Sequence, residues 1–533
     1  MSMIDGIIVI IYLVAMMAIG FVVGKGNKTQ EDYFLGGRSM PWLPVALSVA
    51  ATTISANGFI GNPGRAYSEG IISYMQNATI PLACFIAAYI TAPMFYHLRV
   101  SSLYEYMEMR MGRISRLLPV CQFFINSLLQ VSSMVFIPAL MLQMVTGWSL
   151  NVVVPIIVLC AIVYTIAGGI KAVIWTDAIQ MIIMWGGLIF IFFNIVQGTG
   201  LGFSGTLAEA AAAGKFDCFD FTTDLTVTNS FLASCLGIFM WTRYFCFDQA
   251  QMQRVLTSKS MLGLKKSFFS GAVVMNVMTF IMLFLGALLF VYYDNGARQF
   301  ETANEIMINF ILNDLPVGVV GLVVAAVFAA AMSSVDSLLN SMTTVFTKDI
   351  YEQYFTKSKE KTTLTLKQTM YVSLGLGIVI IFIVILGFSG TVKSVLDVVG
   401  TYISYFGGPA LGSFLLAMLT RKANDKGTAI GFLAGLVLGF VIATTYSISW
   451  LITPAIGCII TMVVGYALSF VFKSNKTEEE IEPLTLMGMR KQLIAKNKIM
   501  EDGVSVIPFK MDKYCVALLV LFFAQYVFLA FIR

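Results

Sequence analysis

A stripe of small polar side chains interrupts an otherwise apolar stretch, AAVFAAAMSSVDSLLNSMTTVFT at positions 325–347. Offsets of three and four residues put its members on one helix face, and they are Ser333, Asp336, Ser337, Asn340 and Thr344. The uncharged run at 317–332 predicts that this helix lies in a membrane. A carboxyl and several hydroxyls are costly in hydrocarbon unless they bind something. Such oxygen ligands suit a hard cation such as Na⁺. Hydroxyls alone would equally fit an interface where two membrane helices pack closely. The carboxyl of Asp336 favours the other alternative, an ion pathway.

The composition is that of a membrane protein. Hydrophobic residues make up 58% of the 533 residues, charged residues only 12%, and the mean hydropathy is +0.84. Apolar runs of about 20 residues predict fourteen membrane spans. They lie near 5–24, 42–61, 71–97, 117–146, 151–169, 177–197, 229–247, 269–293, 316–347, 369–388, 393–419, 428–447, 450–472 and 514–532.

Basic residues predict the orientation of these spans. If the N-terminus lies outside, all but six of the 34 basic residues fall in inner loops, and the six are Arg65, Lys215, Arg243, Arg298, Lys393 and Arg533. This asymmetry predicts that both termini lie outside the cell membrane and that the loop at 473–512 is cytoplasmic. The net charge of +5 therefore reflects topology, and it does not indicate a nucleic-acid partner.

Interruptions in two spans indicate an internal repeat. The second span is broken around 55–58 and again at Asn62-Pro63-Gly64, and the seventh around Arg243 and 247–249. Broken membrane helices are tolerated where their freed carbonyls line a cavity or hold an ion. Spans 2–6 (42–197) and 7–11 (229–419) form two sets of five, which predicts an inverted repeat. An extra helix at 5–24 precedes this core and three helices at 428–532 follow it, in one membrane transport domain.

The chain has no features of an enzyme. It has a single histidine, no cysteine in a nucleophile setting and no glycine-rich phosphate loop. The inner loop at 473–512 is too short for a catalytic or signalling domain. A secondary transporter is therefore predicted. The alternative from another class is a passive channel, although channels usually carry rings of like residues.

Seven motifs in order resemble the solute:sodium symporter family. They are DYFLGGRSMPW (32–42), SVAATTISANGFIG (48–61), SSLYEYMEMR (101–110), GGIKAVIWTDAIQ (168–180), FDQAQMQR (247–254), AAAMSSVDSLLNS with FTKDIY (329–351) and FGGP (406–409). The resemblance implies an all-α polytopic protein with a core of two inverted five-helix repeats. It also implies Na⁺-driven uptake by alternating access. The sequence is most similar to bacterial sialic acid and sugar transporters, and less similar to monocarboxylate and vitamin carriers.

The resemblance implies a common sodium site. By motif match its ligands are backbone carbonyls of the broken second span and carbonyl or hydroxyl groups of the ninth. The matching positions are Ala51, Ile54, Ala330, Ser333 and Ser334. Elementary chemistry agrees, because an unwound turn at 55–58 would free the carbonyls before it and hydroxyl dipoles can replace water around the ion.

The resemblance to the sialic acid carriers also implies a second sodium site, at Asp177, Ser333, Asp336 and Ser337. Asp336 stands where those carriers have serine. This site would then hold two carboxylates, which either tighten Na⁺ binding or share a proton. The alternative is that Asp177 caps the start of the sixth span at the inner interface.

Substrate positions are implied by the same match, at Ser55, Gly58, Gln76 with its neighbour Asn77, Gln130 and Asp248. Their amides and hydroxyls suit a small polar organic solute. Sialic acid carriers have an arginine at the position of Gln130, so the charge of the solute stays open. Arg243 is the one basic residue predicted deep enough to receive an anion, and the alternative is that it pairs with Asp248.

The solute, Na⁺ and the lipid bilayer are the predicted partners. The oligomeric state is open, and a monomer is sufficient.

Overall fold

The structure is a computed structural model, and it describes residues 2–298, 300–355, 364–387, 395–474, 476–508 and 510–532. For residues 137, 145, 387 and 395–400 it describes the backbone alone. The helices of the first part of the chain are α1 (Met3–Gly24), α2 (Gln30–Leu35), α3 (Trp42–Thr53), α4 (Ala56–Glu69), α5 (Ile80–Ile86), α6 (Ala92–Leu98), α7 (Leu103–Arg110), α8 (Arg113–Thr146), α9 (Leu150–Gly198) and α10 (Gly202–Ala212).

The second part contains α11 (Phe231–Leu236), α12 (Ile238–Phe247), α13 (Gln249–Leu256), α14 (Met261–Tyr292), α15 (Ala303–Asn309), α16 (Val319–Val345), α17 (Leu366–Gly387), α18 (Val395–Leu419), α19 (Asp425–Thr445), α20 (Thr453–Leu468), α21 (Glu478–Ile481), α22 (Leu486–Ala495) and α23 (Lys513–Ile532). Strands β1 (Met500–Glu501) and β2 (Val504–Ser505) form a small antiparallel hairpin with Met500 opposite Ser505. Short 3-10 segments span Gly36–Arg38, Gly70–Asn77 and Glu482–Leu484, and π segments span Ala87–Thr91, Phe310–Asp314 and Phe346–Phe355.

The predicted apolar spans coincide with helices. Within the described residues, ten helices are long and apolar enough to cross a membrane, and the shorter apolar helices Trp42–Thr53, Phe231–Phe247 and Thr453–Leu468 cover three more predicted spans. Residues 393–394 of the eleventh predicted span lie outside the described residues. The all-helical membrane architecture is confirmed, and the count of fourteen crossings stays a prediction.

The break in the second span lies slightly earlier than predicted. Helix α3 ends at Thr53, Ile54 and Ser55 are extended, and α4 already begins at Ala56. The reason is local capping, because the Ser55 hydroxyl accepts a hydrogen bond from the Gly58 amide at 3.4 Å. No second break follows in this segment, since Pro63 lies inside α4. A Cβ on Gly64 would lie 1.8 Å from the carbonyl oxygen of Ala303, so that glycine permits close packing of α4.

The predicted break in the seventh span is at Asp248, which is extended between α12 and α13. The fifth and sixth predicted spans are two helical segments of α9 that meet at Gly169, whose φ of +56° and ψ of −158° are not helical. Asp177 therefore lies inside this element, about two turns beyond the kink, and is fully buried. The alternative that Asp177 caps the start of the sixth span is wrong.

Helix α16 carries the polar stripe through the centre of the molecule, and nearly all of its residues are buried. The extra helix α1 packs against it. The Asp5 carboxylate accepts hydrogen bonds from the amides of Gly318 and Gly321 at 2.7 and 2.9 Å. These amides belong to the group that a helix start leaves without intrahelical partners. The N-terminal helix thus anchors the beginning of the element that carries the predicted sodium ligands.

Candidate functional site

The predicted residues of the common sodium site lie on or directly after two helices, α3 and α16, that contact each other through Ser333 and Ala51. We call the group Ala51, Ile54, Ala330, Ser333 and Ser334 the neutral cluster. The Ser333 hydroxyl lies 3.3 Å from the Ala51 carbonyl oxygen and 3.2 Å from that of Ala330. The Ser334 hydroxyl donates to the Ala330 carbonyl at 3.3 Å. Ala51, Ala330, Ser333 and Ser334 are all fully buried.

The break supplies the last member of the neutral cluster. Ile54 lies directly after α3 in extended conformation, with its amide bonded to the Ala50 carbonyl at 3.0 Å. A helix end leaves its last carbonyls without intrahelical partners. The cluster thus offers carbonyl and hydroxyl dipoles without a charged side chain. In the described part of the chain, no group of three or more His, Cys, Asp and Glu residues could hold a metal ion. The donor set therefore suits a monovalent hard cation.

A second group of polar residues comes from four helices, and we call Ser48 of α3, Asp177 of α9, Arg254 of α13 and Ser337 of α16 the charged cluster. The Ser48 hydroxyl donates to the Asp177 carboxylate at 2.5 Å. The Arg254 Nε lies 3.6 Å from the same carboxylate oxygen and 2.9 Å from the Ser48 hydroxyl. Its Nη2 donates to the Ser337 hydroxyl, and its Nη1 to the carbonyl of Ala250. A guanidinium therefore lies among residues predicted to hold a second Na⁺.

The sequence analysis missed the role of Arg254. It counted this residue among the inner-loop cations, although the FDQAQMQR motif ends on it. The structure places Arg254 at the end of α13 with no exposed surface. The burial of Arg254 could have been predicted from its position. It lies six residues after Asp248, the break in the seventh span, and a short helix that starts at such a break lies in the protein interior.

Asp336 is connected to the charged cluster only loosely. Its Oδ1 accepts from the Ser337 hydroxyl at 3.3 Å. Its fully buried Oδ2 makes no well-formed hydrogen bond to a described residue, and the Tyr164 hydroxyl is a side-chain group close enough to interact with this carboxyl. Ser337 joins the two clusters, because its hydroxyl lies within hydrogen-bonding distance of the Ser333 carbonyl and 3.2 Å from the hydroxyl of Thr52. Ser333 and Ser337 thus lie at the junction of the two clusters, and Asp336 lies to one side.

Two adjoining cavities lie beside the break in the second span. They share Thr53, Ser55, Trp241 and Trp450. Among the predicted substrate positions, Ser55 lines both, Gln130 lines the first, and Gly58, Gln76 and Asn77 line the second. The structure therefore brings five of the six predicted positions to one region.

The sixth position, Asp248, does not line either cavity. Its Oδ2 lies 2.9 Å from the Nη2 of Arg243, and its Oδ1 accepts from the Ala250 amide at 2.9 Å. Asp248 therefore caps α13 and neutralises Arg243, which lines the first cavity. The pairing of Arg243 with Asp248, one of the two alternatives, is the arrangement found.

A second arginine, which the sequence analysis did not assign, lines the second cavity. Arg65 donates from Nη1 to the Gln76 side-chain oxygen at 3.0 Å. The Gln76 amide nitrogen donates to Asn229 at 2.7 Å, and Asn229 donates to Glu69 at 3.0 Å. The four residues form a continuous hydrogen-bonded chain that starts at the cavity wall.

Comparisons with known proteins agree with this geometry. A family model described as the sodium:solute symporter family matches residues 33–435. The sodium/sialic acid symporter SiaT of Proteus mirabilis is 30% identical over 481 residues, which cover 87% of this chain and 94% of the relative. Human sodium-coupled monocarboxylate transporter 1 is 31% identical over 438 residues, which cover 80% and 71% of the two chains.

A solved structure is also similar, described as the substrate-bound outward-open state of a Na⁺-coupled sialic acid symporter with a novel Na⁺ site. Its TM-score is 0.78 at 28% identity, and the match covers 89% of this chain and 99% of that one. The similarity confirms the predicted fold class, a helical membrane transporter with an inverted-repeat core and two broken helices. The predicted boundaries of the two repeats stay a prediction.

Proposed function

Because the chain belongs to the sodium:solute symporter family, we propose that it imports a small polar organic solute of the sialic acid or sugar type by alternating access. It is a multi-pass membrane transporter that couples solute to Na⁺, and it is not an enzyme. Beyond Na⁺-coupled transport itself, we propose the direction of transport, the class of the solute and the residues that bind Na⁺ and the solute. Na⁺ binds at the neutral cluster, and the solute binds in the two adjoining cavities.

The observation that carries this proposal is the two-residue break between α3 and α4. On one side of the break, Ala51 and Ile54 belong to the neutral cluster. On the other side, Ser55 and Gly58 line the cavities. Ion and solute therefore contact the same short segment of backbone. An ion that orders this segment lowers the cost of ordering it for the solute, and the coupling is reciprocal.

The sodium gradient is large enough to drive accumulation. A tenfold Na⁺ gradient supplies about 1.4 kcal/mol. A membrane potential of about 100 mV adds roughly 2.3 kcal/mol for each charge moved. One Na⁺ moving with a neutral solute would therefore sustain an accumulation of a few hundredfold at most.

The charged cluster has a different proposed role in this cycle. The guanidinium of Arg254 already pairs with Asp177. A second Na⁺ at Asp177, Ser333, Asp336 and Ser337 would therefore bind in exchange for this guanidinium. Binding there is expected to be weaker than at the neutral cluster, because an existing ion pair must be broken.

A monocarboxylate is the second candidate solute. It is favoured by the human relative, which is 31% identical and is named a monocarboxylate transporter. All proposed binding residues come from one chain, so a monomer is sufficient for transport.

The excess of basic residues in alternate loops supports a location in the cell membrane with both termini outside.

The test is uptake of radiolabelled sialic acid, a neutral sugar and lactate into vesicles that contain the purified protein. We expect saturable accumulation against a gradient of one of these solutes in Na⁺, and none when choline or K⁺ replaces Na⁺. Equal uptake without Na⁺ would remove sodium coupling. Uptake that only equilibrates and does not saturate would indicate a passive channel.

A further inference from the structure

Three lysines surround a cavity at the end of the molecule where α14 and α23 begin. The cavity has a volume of about 490 Å³, within the range of about 300 to 1,000 Å³ that is usual for ligand sites. Lys266, Lys510 and Lys513 line it, and we call the cavity with these three residues the lysine pocket. The hairpin of β1 and β2 forms another part of its wall, through Met500 and Val504.

The lysine pocket has an excess of positive charge. Two aspartates, Asp502 and Asp512, also line it. The Asp512 carboxylate is already paired with the buried Lys265 at 2.5 Å. It also accepts hydrogen bonds from the amides of Tyr514 and Cys515 at 3.1 Å, so it caps the start of α23. Among the described residues, no ion pair joins the three lysines of the pocket to a carboxylate. Their charge is therefore available to an anion from outside the protein.

The lysine pocket lies at the boundary between hydrocarbon and water. Three apolar helices, α3, α14 and α23, begin there, and the Ser267 hydroxyl of α14 donates to the carbonyl of Trp42 at the start of α3 at 3.0 Å. The Lys266 ammonium lies 5.7 Å from the centre of the Trp42 ring, and the Lys513 ammonium lies 5.3 Å from that of Tyr514. Tryptophan, tyrosine and lysine side chains are typical of this boundary. The pocket is therefore at the level of the lipid headgroups.

An exposed apolar stripe runs from the pocket along α23. Its members are spaced four, three and four residues apart on one helix face, and they are Val516, Val520, Phe523 and Val527. Met511 at the pocket end is exposed as well and lines the pocket. A phospholipid carries its charged group and its apolar chains in the same order, whereas inorganic phosphate would contact the lysines alone. The combination of pocket and stripe therefore favours a lipid over a soluble anion.

We propose that the lysine pocket binds the headgroup of an anionic phospholipid, with the phosphate at the ammonium groups and the acyl chains along the stripe of α23. Ammonium groups bind phosphate oxygens as point charges, so the pocket selects for charge. A zwitterionic lipid carries a cation beside its phosphate and binds more weakly. Each lysine near an anionic lipid strengthens binding about fivefold. The inference does not depend on which solute is transported.

The experiment is native mass spectrometry of the delipidated full chain in detergent. The protein is titrated with phosphatidylglycerol, with phosphatidylcholine of identical acyl chains, or with inorganic phosphate. The main variant carries Lys266→Gln, Lys510→Gln and Lys513→Gln together. The single variant Lys510→Gln changes one exposed side chain only. Thermal unfolding in detergent without lipid reports whether each variant is folded.

The matched control removes three lysines from the same side of the protein, through Lys422→Gln, Lys491→Gln and Lys496→Gln. These residues lie in or against the loop at 473–512, which leads to α23. They are exposed, and none of them lines the lysine pocket. The control therefore loses the same net charge as the triple variant and leaves the pocket intact.

We expect wild type and the control to bind phosphatidylglycerol at least about 10-fold more tightly than phosphatidylcholine. In the triple variant the affinity for phosphatidylglycerol should fall about 10- to 100-fold, and in Lys510→Gln about fivefold. The affinity for phosphatidylcholine should change much less. Inorganic phosphate should bind wild type more weakly than phosphatidylglycerol does, because it has no chains to bury.

Four results would overturn the inference. Wild type could bind both lipids equally, the triple variant could keep the affinity of wild type for phosphatidylglycerol, the control could lose as much affinity as the triple variant, or inorganic phosphate could bind as tightly as phosphatidylglycerol. If the triple variant does not fold, Lys510→Gln decides, and an unchanged affinity there would also contradict the lipid site. Sodium-coupled transport would survive each of these results.

Discussion

The neutral and charged clusters both include residues of α3 and α16, and the charged cluster adds Asp177 of α9 and Arg254 of α13. The two clusters satisfy their polar groups in opposite ways. The neutral cluster consists of carbonyl and hydroxyl oxygens whose mutual hydrogen bonds are 3.2 to 3.3 Å long. The charged cluster contains a carboxylate and its own cation, Arg254, at 3.6 Å. The neutral cluster contains oxygen ligands and no charged side chain, whereas the charged cluster contains a cation of the protein, Arg254.

This difference in charge indicates which of the two clusters could release a bound cation during a transport cycle at the lower free-energy cost. Neutral dipoles that lose an ion can form hydrogen bonds with each other, and the Ser333 hydroxyl lies within hydrogen-bonding distance of the Ala51 and Ala330 carbonyls. A buried carboxylate that loses its cation is left as an uncompensated charge, at a cost of several kcal/mol. A charged Asp177 is therefore stabilised by a cation beside it, either the guanidinium or Na⁺, and without one it would take up a proton. The neutral cluster suits repeated binding and release, and the charged cluster suits a permanent tie between α3, α9, α13 and α16.

The largest effect is expected from removing the internal cation. Arg254→Met leaves Asp177 buried and unpaired, which should cost about 3 to 5 kcal/mol of stability. Thermal unfolding in K⁺ and in Na⁺ measures this loss. We expect a larger Na⁺-dependent stabilisation than in wild type, because Na⁺ can replace the guanidinium.

The control for this prediction is the double variant Arg254→Met with Asp177→Asn. It removes both charges and should recover much of the stability in K⁺. An Arg254→Met protein whose stabilisation by Na⁺ equals that of wild type would mean that the charged cluster does not accept Na⁺.

The next effect concerns the neutral cluster. Ser334→Ala removes one hydroxyl ligand and should weaken the apparent affinity for Na⁺ about 10- to 100-fold, the scale of a hydrogen bond to a charged group. Sodium titration of solute uptake gives this value. The matched control is Ser341→Ala on the same helix, because that buried hydroxyl makes no hydrogen bond to any described residue. Equal affinities in the two variants would remove Ser334 from the sodium site.

A smaller effect is expected from Asp177→Asn. If Na⁺ exchanges with Arg254 at the charged cluster, wild type should show a Hill coefficient above one for Na⁺, and the variant should show a coefficient of one. The measurement is solute uptake over a range of Na⁺ concentrations. If wild type has a Hill coefficient of one and Asp177→Asn leaves the Na⁺ dependence of uptake unchanged, the charged cluster binds no Na⁺ and serves only to hold its helices together.

The smallest effect is expected at Asp336. Its Oδ1 lies 3.3 Å from the Ser337 hydroxyl, and the Tyr164 hydroxyl lies close enough to interact with the same carboxyl. We expect Asp336→Asn to keep the Na⁺ affinity of wild type from about pH 5.5 to 8, because no cation is held directly at this carboxyl and protons need not compete with Na⁺ there. A Na⁺ affinity that falls on acidification in wild type but not in Asp336→Asn or Asp336→Ser would show that Asp336 binds the ion.

Much of the fold and part of the site could be predicted without coordinates. Helix-length apolar runs predicted the positions of the helices, because every backbone polar group in a membrane must be satisfied within a helix. Interruptions at 55–58 and 247–249 predicted the two breaks to within a few residues. Their exact positions depend on capping by Ser55 and Asp248, which competes with helix continuation over one or two residues and is difficult to predict from composition.

The sequence by itself determined which residues share a helix face, because helical periodicity is local. Ser333, Asp336 and Ser337 therefore had to lie near each other, and Ser333 and Ser334 had to follow an uncharged membrane segment. It also determined the family, through seven motifs in order. Only the tertiary structure decided which helices face each other. The packing of α13 brings Arg254 to Asp177 across 77 positions of sequence, and the close approach of the Gly70–Asn77 segment to α4 brings Gln76 to Arg65. Such pairs depend on how helices pack sideways in the protein interior, and no local rule along the chain specifies that arrangement.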